Sequence, residues 1–359
     1  MSLFQKTAIA LARSPGAGRA MRALATRSSL ARRFVGGADI AEGGPPATRL
    51  REVHGIRASL FYLGEYVADP EAIEHNTRQA MQACAALGGA GLDVHVSIDP
   101  TAIGYMRDDA LGRENARRIA AAARQAAGGG RDWVVLDMED SGLRERTCAL
   151  HAELLRAGLP AGLTLQARRR RTLVDLAQVV GQRTSLRLVK GAFPERALDH
   201  AGRARIDQAY LDAATLMLTP RARDAGFLPV FGTHDDRLAG AVMALAREQG
   251  WAPDEFEFEM LYGVRPDWQL ALRRLGYAVR VYLPFGADWW PYAVRRVGEN
   301  PRNAWLLARS LAADGEYSGS LSHWPGVPRR HPERSGRAVF PWRFPNISGI
   351  AARSCPATC

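Results

Sequence analysis

The sequence predicts an α/β fold, a distorted (β/α)8 TIM-like barrel with an N-terminal helical arm and an irregular C-terminal tail. From about residue 50, short β-branched runs alternate with longer Ala-, Leu- and Arg-rich helical patterns, which is typical of a parallel sheet. This alternation continues to about residue 312, close to the ~250 residues of such a barrel. No GxGxxG motif follows any of the runs, which disfavours a doubly wound dinucleotide-binding sheet.

Eight candidate strands make up the predicted barrel. The first is weak and lies near Ala58–Leu63. The other seven are short runs rich in β-branched and aromatic residues. They are, in order, Val94–Ile98, Trp133–Met138, Ala161–Gln166, Ser185–Lys190, Phe227–Phe231, Phe256–Met260 and Val279–Leu283.

Helices are predicted between the strands, where apolar residues recur at helical spacing. Glycine-rich stretches such as Gly128–Gly130 end several of them. The run Arg168–Arg171 is interpreted as a solvated first helical turn. The predicted helices include Arg113–Ala127, Leu143–Ala157, Thr172–Val180, Arg203–Ala225, Arg237–Gln249 and Asp267–Leu275.

The predicted organisation has three parts. Residues 1–49 form a basic helical arm and linker, in which Gly36–Pro46 is a turn-rich linker. Residues 50–317 form the barrel, and residues 318–359 form a Pro- and Arg-rich tail without periodicity. The net charge of +11 is concentrated at the two ends: the first 57 residues hold ten Lys and Arg against three Asp and Glu, and the tail holds six Arg against one Glu.

This charge distribution bears on the class of partner. A nucleic-acid enzyme needs a basic working face in its folded body, and here the body is close to neutral. Basic ends favour weak peripheral contact with an anionic membrane surface, although GC-rich coding explains Arg-rich ends equally well. We therefore expect no nucleic-acid partner and a cytoplasmic location, with peripheral contact at the inner membrane face.

The cysteines and the hydropathy pattern exclude other classes. None of the four cysteines forms a CxxC pair, which argues against a disulfide framework or a zinc site and suits a reducing cytoplasm. No run approaches the ~18 apolar residues that a transmembrane helix needs.

Nearly every predicted strand ends in a polar residue, and a barrel carries its chemistry at those ends. The segments concerned are Asp137–Asp140, Gln166–Arg168, Arg187–Ala192, Thr233–Asp235, Glu259–Gly263 and Tyr282–Gly286. They offer a carboxylate, an amide, cations and phenols, but no cluster of metal ligands, no serine nucleophile elbow and no reactive cysteine. Such a set favours a bound cofactor that supplies the reactivity.

A polar stripe follows the last strand. Tyr292, Arg295, Arg296 and Glu299 fall at i, i+3, i+4 and i+7, on one face of a predicted helix. Adjacent arginines suit a planar anion such as a carboxylate. On spacing alone, a solvated face with an Arg–Glu pair is the more ordinary explanation.

Taken jointly, these motifs resemble the FAD-dependent proline dehydrogenases, or proline oxidases, of the single-function bacterial type. The resemblance covers roughly residues 30–312 in the family's order. The matching segments are Arg33–Gly37, Leu136–Asp140, Leu165–Thr172, Leu186–Phe193, Gly232–His234, Phe256–Arg265, Val281–Gly286 and Arg295–Asn300.

The resemblance implies dehydrogenation of L-proline to 1-pyrroline-5-carboxylate, by hydride transfer to N5 of a non-covalent FAD and with a quinone as electron acceptor. It implies that Asp137 and Arg187 are catalytic and that Arg187 lies beside flavin N5. The implied substrate-binding residues are Arg295 and Arg296, which hold the carboxylate, and Tyr282, Tyr292 and Leu261, which surround the ring. The implied cofactor-binding residues are Met138, Gln166, Arg187, Val189, Lys190, Gly191, Ala192, Thr233, His234 and Glu299.

The sequence departs from the family pattern at several of these positions. Asp99 stands where the family has a lysine near the substrate carboxylate. Asp99 therefore points elsewhere, pairs with Arg295 and Arg296, or indicates a specialised relative that oxidises a substituted proline or another cyclic amino acid. The other departures are Arg168 for tyrosine, Asp235 for asparagine, Glu259 for glutamine and, as a milder change, Phe193 for tyrosine.

Two hypotheses from other functional classes remain. One is a redox-inactive barrel that acts as a binding protein. The other is an aldolase- or isomerase-type barrel, which needs a Schiff-base lysine or a phosphate loop. Lys190 is one of only two lysines, beside Lys6, and its Val-Lys-Gly-Ala context favours a flavin contact instead.

Overall fold

The computed structural model describes residues 34–192, 194–195, 197–289 and 292, and its centre is a closed barrel of eight parallel strands. Each strand pairs with the next, and the last strand pairs with the first over six residues. The strands are β1 Arg57–Tyr62, β2 Val94–Ile98, β3 Asp132–Leu136, β4 Ala161–Gln166, β5 Ser185–Val189, β6 Leu228–Gly232, β7 Glu257–Leu261 and β8 Ala278–Phe285. The predicted barrel is confirmed, including its weak first strand.

Helices cover the outside of the barrel between successive strands. They are α1 Ile40–His54, α2 Pro70–Gly89, α3 Asp109–Ala127, α4 Arg144–Arg156, α5 Thr172–Val179, α6 Arg203–Met217, α7 Pro220–Asp224, α8 Asp236–Glu248 and α9 Pro266–Arg274. A single 3-10 turn, Pro100–Ala102, follows β2. Among the described helices, none combines the length and apolar character needed to cross a membrane.

Helix α1 shows that the predicted turn-rich linker over Gly36–Pro46 was wrong, because most of it is helical despite two internal prolines. Asp39 caps the helix by accepting the N–H of Glu42, and the Glu42 carboxylate accepts the N–H of Ala38 in return. The side of the helix that faces the barrel is buried at Ala47 and Leu50. Reciprocal capping and this packing offset the hydrogen bonds that the prolines cannot make.

The predicted helix Arg203–Ala225 was also wrong, since it is two helices, α6 and α7. Pro220 opens the second, where its missing N–H costs nothing. The hydroxyl of Thr219 accepts the N–H of Ala222 and caps the new helix. The apolar pattern continues through both helices, so the only sequence signal for the boundary is the pair Thr219-Pro220.

The barrel strands have two different faces. Their outward residues pack with the helices in one apolar core, which includes the aromatic cluster of Phe231, Phe256 and Phe258. Many of their inward residues are polar or charged and join strands across the barrel: Arg187 of β5 reaches Glu259 of β7. A barrel of this kind normally fills its interior with branched apolar side chains. The polar side chains inside this one therefore indicate a functional site.

Candidate active site

The carboxylate of Asp137 joins three strands at the carboxyl end of the barrel. It lies just after β3 and accepts hydrogen bonds from Arg187 Nη1 at 2.6 Å, Thr164 Oγ1 at 2.8 Å and Tyr282 OH at 2.9 Å. These donors come from β5, β4 and β8. The structure thus brings together Asp137, Arg187 and Tyr282, three of the residues that the sequence singles out.

Arg187 is the charged centre of this group and is almost wholly buried, with 4% of its surface exposed. Its Nε and Nη2 donate to the two oxygens of Glu259 at 2.7 and 2.9 Å, and Nη2 also donates to Ser97 Oγ at 2.8 Å. Burial alone would lower the pKa of Arg187, but the charges of Glu259 and Asp137 outweigh it and raise that pKa. The guanidinium therefore stays charged inside the barrel.

Tyr282 lies against this cation, with its ring centroid 5.0 Å from the central carbon of the Arg187 guanidinium. Burial raises the pKa of Tyr282 well above its usual value, and the charges of Asp137 and Asp99 raise it further. The phenol therefore remains protonated and keeps donating to Asp137. Tyr292 is buried, and its charge also contributes to the raised pKa of Tyr282, which places these two predicted ring-binding residues in one neighbourhood.

The ends of β4 and β5 offer a surface for a polar ring system. Gln166 Nε2 donates to the carbonyl of Met138 at 2.8 Å, while Gln166 Oε1 is buried and has no hydrogen-bond partner among the described residues. Gly191 has φ +97°, and a Cβ there would lie 2.7 Å from Arg168 Cδ and 3.0 Å from Gln166 Oε1. Since Val189 pairs with Gln166 in the sheet, these predicted cofactor residues lie at one level, followed by the exposed Ala192.

The ends of β6 and β7 are joined through a histidine. The N–H of Leu261 donates to His234 Nε2 at 3.0 Å, so the neutral ring of His234 carries its proton on Nδ1. The hydroxyl of the preceding Thr233 accepts the N–H of Asp235. The predicted pair of Thr233 and His234 therefore lies beside the predicted ring-binding residue Leu261.

Lys190 differs from the other predicted cofactor residues because two carboxylates hold its amino group. Its Nζ lies 2.6 Å from Asp207 and 3.2 Å from Asp235. Burial alone would raise the pKa of Asp235, but its hydrogen bonds with Lys190 and Arg237 outweigh burial and lower that pKa to about 2. Asp235, which replaces an asparagine of the family pattern, thus neutralises part of the charge of this lysine.

Asp99 is 6% exposed at the end of β2, and its side chain does not cap the 3-10 turn that follows. Its charge contributes to the raised pKa of Tyr282, so Asp99 lies within electrostatic reach of the site. Asp99 also contributes to the raised pKa of Tyr66, so its charge acts on both tyrosines, and the three explanations of Asp99 stay predictions. Arg295, Arg296 and Glu299 lie outside the described residues, so their predicted roles stay predictions.

Glu139 lies two residues after Asp137 and was not predicted as a site residue. Its carboxylate accepts the N–H of Thr101 at 3.0 Å and the hydroxyl of Thr101 at 2.5 Å. Burial raises the pKa of Glu139 to about 7, and the charges of Glu65 and Asp137 contribute, although the hydrogen bonds from Thr101 act in the opposite direction. The position of Glu139 in the strand-end sequence Asp-Met-Glu could have identified it as a candidate. Its pairing with Thr101 could not have been predicted, because Thr101 lies in a different loop, after β2.

The run Arg168–Arg171 is a turn that precedes α5, and it is solvated as predicted at Arg170 and Arg171 but not at Arg168 and Arg169. Arg168 and Arg169 are largely buried and both pair with Asp199, and Arg169 also pairs with Glu195. Backbone hydrogen bonds join the same two segments. The loop after β5 is thereby tied to the turn after β4, and Arg168, which replaces a tyrosine of the family pattern, donates to the carbonyl of Gly191 at 2.9 Å.

The described part of the chain contains no group of three or more His, Cys, Asp or Glu side chains arranged to hold a metal ion. The site instead combines a buried cation, hydrogen-bond donors and acceptors, and phenols. It can orient a polar substrate by hydrogen bonds and stabilise negative charge near Arg187. This chemistry fits a bound cofactor that accepts electrons.

Comparison with known proteins agrees with the resemblance. A family model described as proline dehydrogenase matches residues 46–309. A proline dehydrogenase from Deinococcus radiodurans is 35% identical over 289 residues, which are 79% of this chain and 90% of that protein. Proline dehydrogenase 2 from Bacillus subtilis strain 168 is 32% identical over 272 residues, which are 76% of this chain and 86% of that protein.

A solved structure supports the fold independently. It is proline utilization A (PutA) from Bdellovibrio bacteriovorus inactivated by N-propargylglycine, with a TM-score of 0.67 and 22% identity. The match covers 78% of this chain and 34% of that one, so this chain spans about a third of the length of PutA. At this identity the likeness shows the barrel fold alone.

Proposed function

Because the chain belongs to the proline dehydrogenase family and fits its single-function bacterial type, we propose that it oxidises L-proline to 1-pyrroline-5-carboxylate with FAD as electron acceptor. The observation that carries this proposal is the buried group of Asp137, Arg187 and Tyr282 at the carboxyl ends of β3, β5 and β8. This group stands at the barrel end where such folds carry their chemistry.

The residues at the strand ends fit a flavin. The buried acceptor Gln166 Oε1 has no hydrogen-bond partner among the described residues and can take an N–H of a heteroaromatic ring. Thr233 and His234 extend the polar edge. The residues proposed to hold FAD are Met138, Gln166, Arg187, Val189, Gly191, Ala192, Thr233, His234 and Glu299. Lys190 is proposed at the rim, since Asp207 and Asp235 compensate its charge.

Proline oxidation sets clear requirements on these residues. A hydride leaves the ring carbon next to nitrogen while the nitrogen lone pair forms the C=N bond, so the amine must be neutral. FAD, when bound, supplies the acceptor of that hydride at N5. Arg187 then stabilises the negative charge that develops beside it. Asp137 fixes both Arg187 and Tyr282, and this rigidity contributes to the orientation of the substrate.

The proposed substrate pocket uses residues of the last barrel segments. Tyr282, Tyr292 and Leu261 form walls around the proline ring, and Arg295 with Arg296 binds its carboxylate as a planar anion. We propose a quinone as the electron acceptor, with peripheral membrane contact through the basic ends of the chain. Turnover with a soluble quinone analogue, and co-sedimentation with anionic but not neutral vesicles, are the measurements for this part.

A second candidate function rests on Asp99. A buried carboxylate near Tyr282 is unfavourable beside a substrate carboxylate, by roughly 4 kcal/mol at 4 Å and an effective dielectric of 20. Such a charge favours a substituted proline or another cyclic amino acid that carries a positive group. Comparison of kcat/KM for L-proline, hydroxyproline, pipecolate and N-substituted prolines decides between L-proline and a modified substrate. If the substrate is modified, Asp99→Lys should raise kcat/KM for L-proline; if it is L-proline itself, the substitution should not.

The decisive experiment is anaerobic titration of the purified, FAD-loaded protein with L-proline. We expect a yellow protein whose visible flavin band is bleached. Asp137→Asn is the matched control: it keeps FAD but reacts far more slowly, because an amide has one oxygen to accept from Arg187 and Tyr282. A colourless protein that cannot be loaded with FAD would indicate a redox-inactive binding barrel instead.

A further inference from the structure

Every N–H donor of Arg187 has a partner in the barrel. Nε and one N–H of Nη2 donate to Glu259, and the other N–H of Nη2 donates to Ser97. Nη1 donates to Asp137 at 2.6 Å and lies 3.4 Å from Thr164 Oγ1. A guanidinium has five such donors. The two longest contacts are those of Nη1 with Thr164 at 3.4 Å and of Nη2 with Ser59 at 3.5 Å.

Glu259 and Asp137 contact Arg187 in different ways. Asp137 is shared with Thr164 and Tyr282, so it belongs to the surface that meets the substrate. Glu259 is 3% exposed, and in the described structure its carboxylate hydrogen bonds are those from Arg187. A two-point contact of this kind fixes the plane of a guanidinium as well as its position. Glu259 therefore acts on the site through Arg187.

Two carboxylates contact the guanidinium of Arg187, and the Glu259 charge also acts on its cross-strand neighbour Arg280, whose pKa it helps to raise. Asp137 alone would neutralise Arg187, so Glu259 adds a buried negative charge beneath the site. A negative charge near a flavin disfavours its reduced, more negative form. A neutral glutamine at this position could hold Arg187 at one point without that electrostatic effect.

We propose that Glu259 is a positioning residue that fixes the plane of Arg187 and lowers the reduction potential of the bound flavin. The inference rests on the proposed function, in which Arg187 lies beside the flavin. It predicts that this chain binds its oxidised cofactor more favourably, relative to the reduced form, than a variant with glutamine at position 259.

The same strand provides a matched control. Glu257 lies two residues earlier on β7 and makes an equivalent two-point contact with the buried Arg280. Two residues along a strand span about 6.6 Å, so Glu257 is one layer farther from the carboxyl end of the barrel. Glu257 and Glu259 therefore share residue type, burial, strand and a two-point contact with a buried arginine. They differ in distance from the proposed flavin, and Glu257 also pairs with Arg57 and Arg131.

The test is an anaerobic redox titration of the FAD-loaded wild type, E259Q, E259D and E257Q. We expect E259Q to favour the reduced flavin at least tenfold more than the wild type, which is about 30 mV for a two-electron couple. E259D keeps the negative charge on a side chain that is one methylene shorter. Its oxidised–reduced flavin equilibrium constant should therefore stay within threefold of wild type, while its turnover falls because Arg187 is held less well. E257Q should also stay within threefold.

Three results would overturn the inference. The first is an E259Q flavin whose oxidised–reduced equilibrium constant lies within threefold of that of the wild type. The second is a shift in E257Q as large as that in E259Q. The third applies where E259Q does not fold, and is a tenfold shift toward reduced flavin in E259D, which keeps the charge. A wild-type protein that binds FAD but is not reduced by proline would contradict the proposed function alone. One that binds no FAD would overturn both.

Discussion

Replacement of Glu257 by glutamine should destabilise the barrel strongly. Glu257 is completely buried and accepts from Arg280 Nε at 2.6 Å and from Arg57 Nη1 at 2.5 Å. Burial alone would raise the pKa of Glu257, but Arg280 and Arg57 outweigh it and lower that pKa from an ordinary 4.5 to about 2. At about 1.4 kcal/mol per pKa unit, this corresponds to roughly 3 kcal/mol of stability at pH 7.

A second estimate gives a similar magnitude. Removal of one partner from a buried ion pair costs about 3–5 kcal/mol, because the other charge remains buried without compensation. Arg280 is also completely buried, and its other carboxylate contact, Asp93, is partly exposed. We therefore expect E257Q to lower the free energy of unfolding by about 3–4 kcal/mol at pH 7.

The assay is urea unfolding of wild type and E257Q at several pH values. The pKa of Glu257 is lower in the folded state, so its stabilisation is present above pH 4.5 and is lost as the pH falls toward 2. The difference between the two proteins should shrink over that range. E145Q, at the exposed partner of Arg144, serves as control and should behave like wild type. A difference below about 1 kcal/mol at pH 7, or one that does not change with pH, would refute the reasoning.

Three further predictions concern single positions. Burial raises the pKa of Glu139 from 4.5 to about 7, so the stability of the wild type should fall as the pH rises from about 4.5 to 7 and then level off. E139Q, which mimics the protonated acid, should match wild type at pH 4 and be roughly 3 kcal/mol more stable at pH 8.5 by urea unfolding. Tyr282→Phe removes a donor to Asp137 and should lower kcat/KM for proline about 10- to 100-fold with unchanged flavin content. Gly112→Ala would place a Cβ 2.1 Å from a buried tyrosine ring and should lower the melting temperature, whereas Gly240→Ala, with nothing within 4 Å, should raise it slightly.

The alternating pattern of the chain predicts the barrel because each strand is one short apolar run with a helix after it. Strand bounds were recovered to within about two residues, since inward and outward positions both carry strand-forming residues. Helix α1 was missed because Pro45 and Pro46 are strong local signals against a helix. Its cap by Asp39 is a local signal that the sequence contains, whereas its packing against Phe285 of β8 depends on a residue far along the chain.

The site was predicted in part for a similar reason. Strand-end positions identify Asp137, Arg187 and Tyr282 as candidates, and the barrel then brings them together. Thr164 and Ser97 were missed because their roles depend on partners from other strands. A period-two pattern of polar residues inside the strands was the available signal, since alternate residues of a barrel strand point inward.

The two glutamates of β7 suggest how one strand serves stability and redox chemistry together. Glu257 faces Arg280, Arg57 and Arg131, so its carboxylate is surrounded by cations, and its removal leaves excess positive charge. In the described structure Glu259 takes its side-chain hydrogen bonds from Arg187, which Asp137 also contacts, and acts on Arg280 only through its charge, so its neutralisation removes negative charge beside the proposed flavin. The first substitution should therefore act mainly on the free energy of unfolding and the second mainly on the flavin potential. If E259Q proved as destabilising as E257Q while leaving the potential unchanged, the two layers would be equivalent structural pairs, and the polar interior would have to be explained by folding alone.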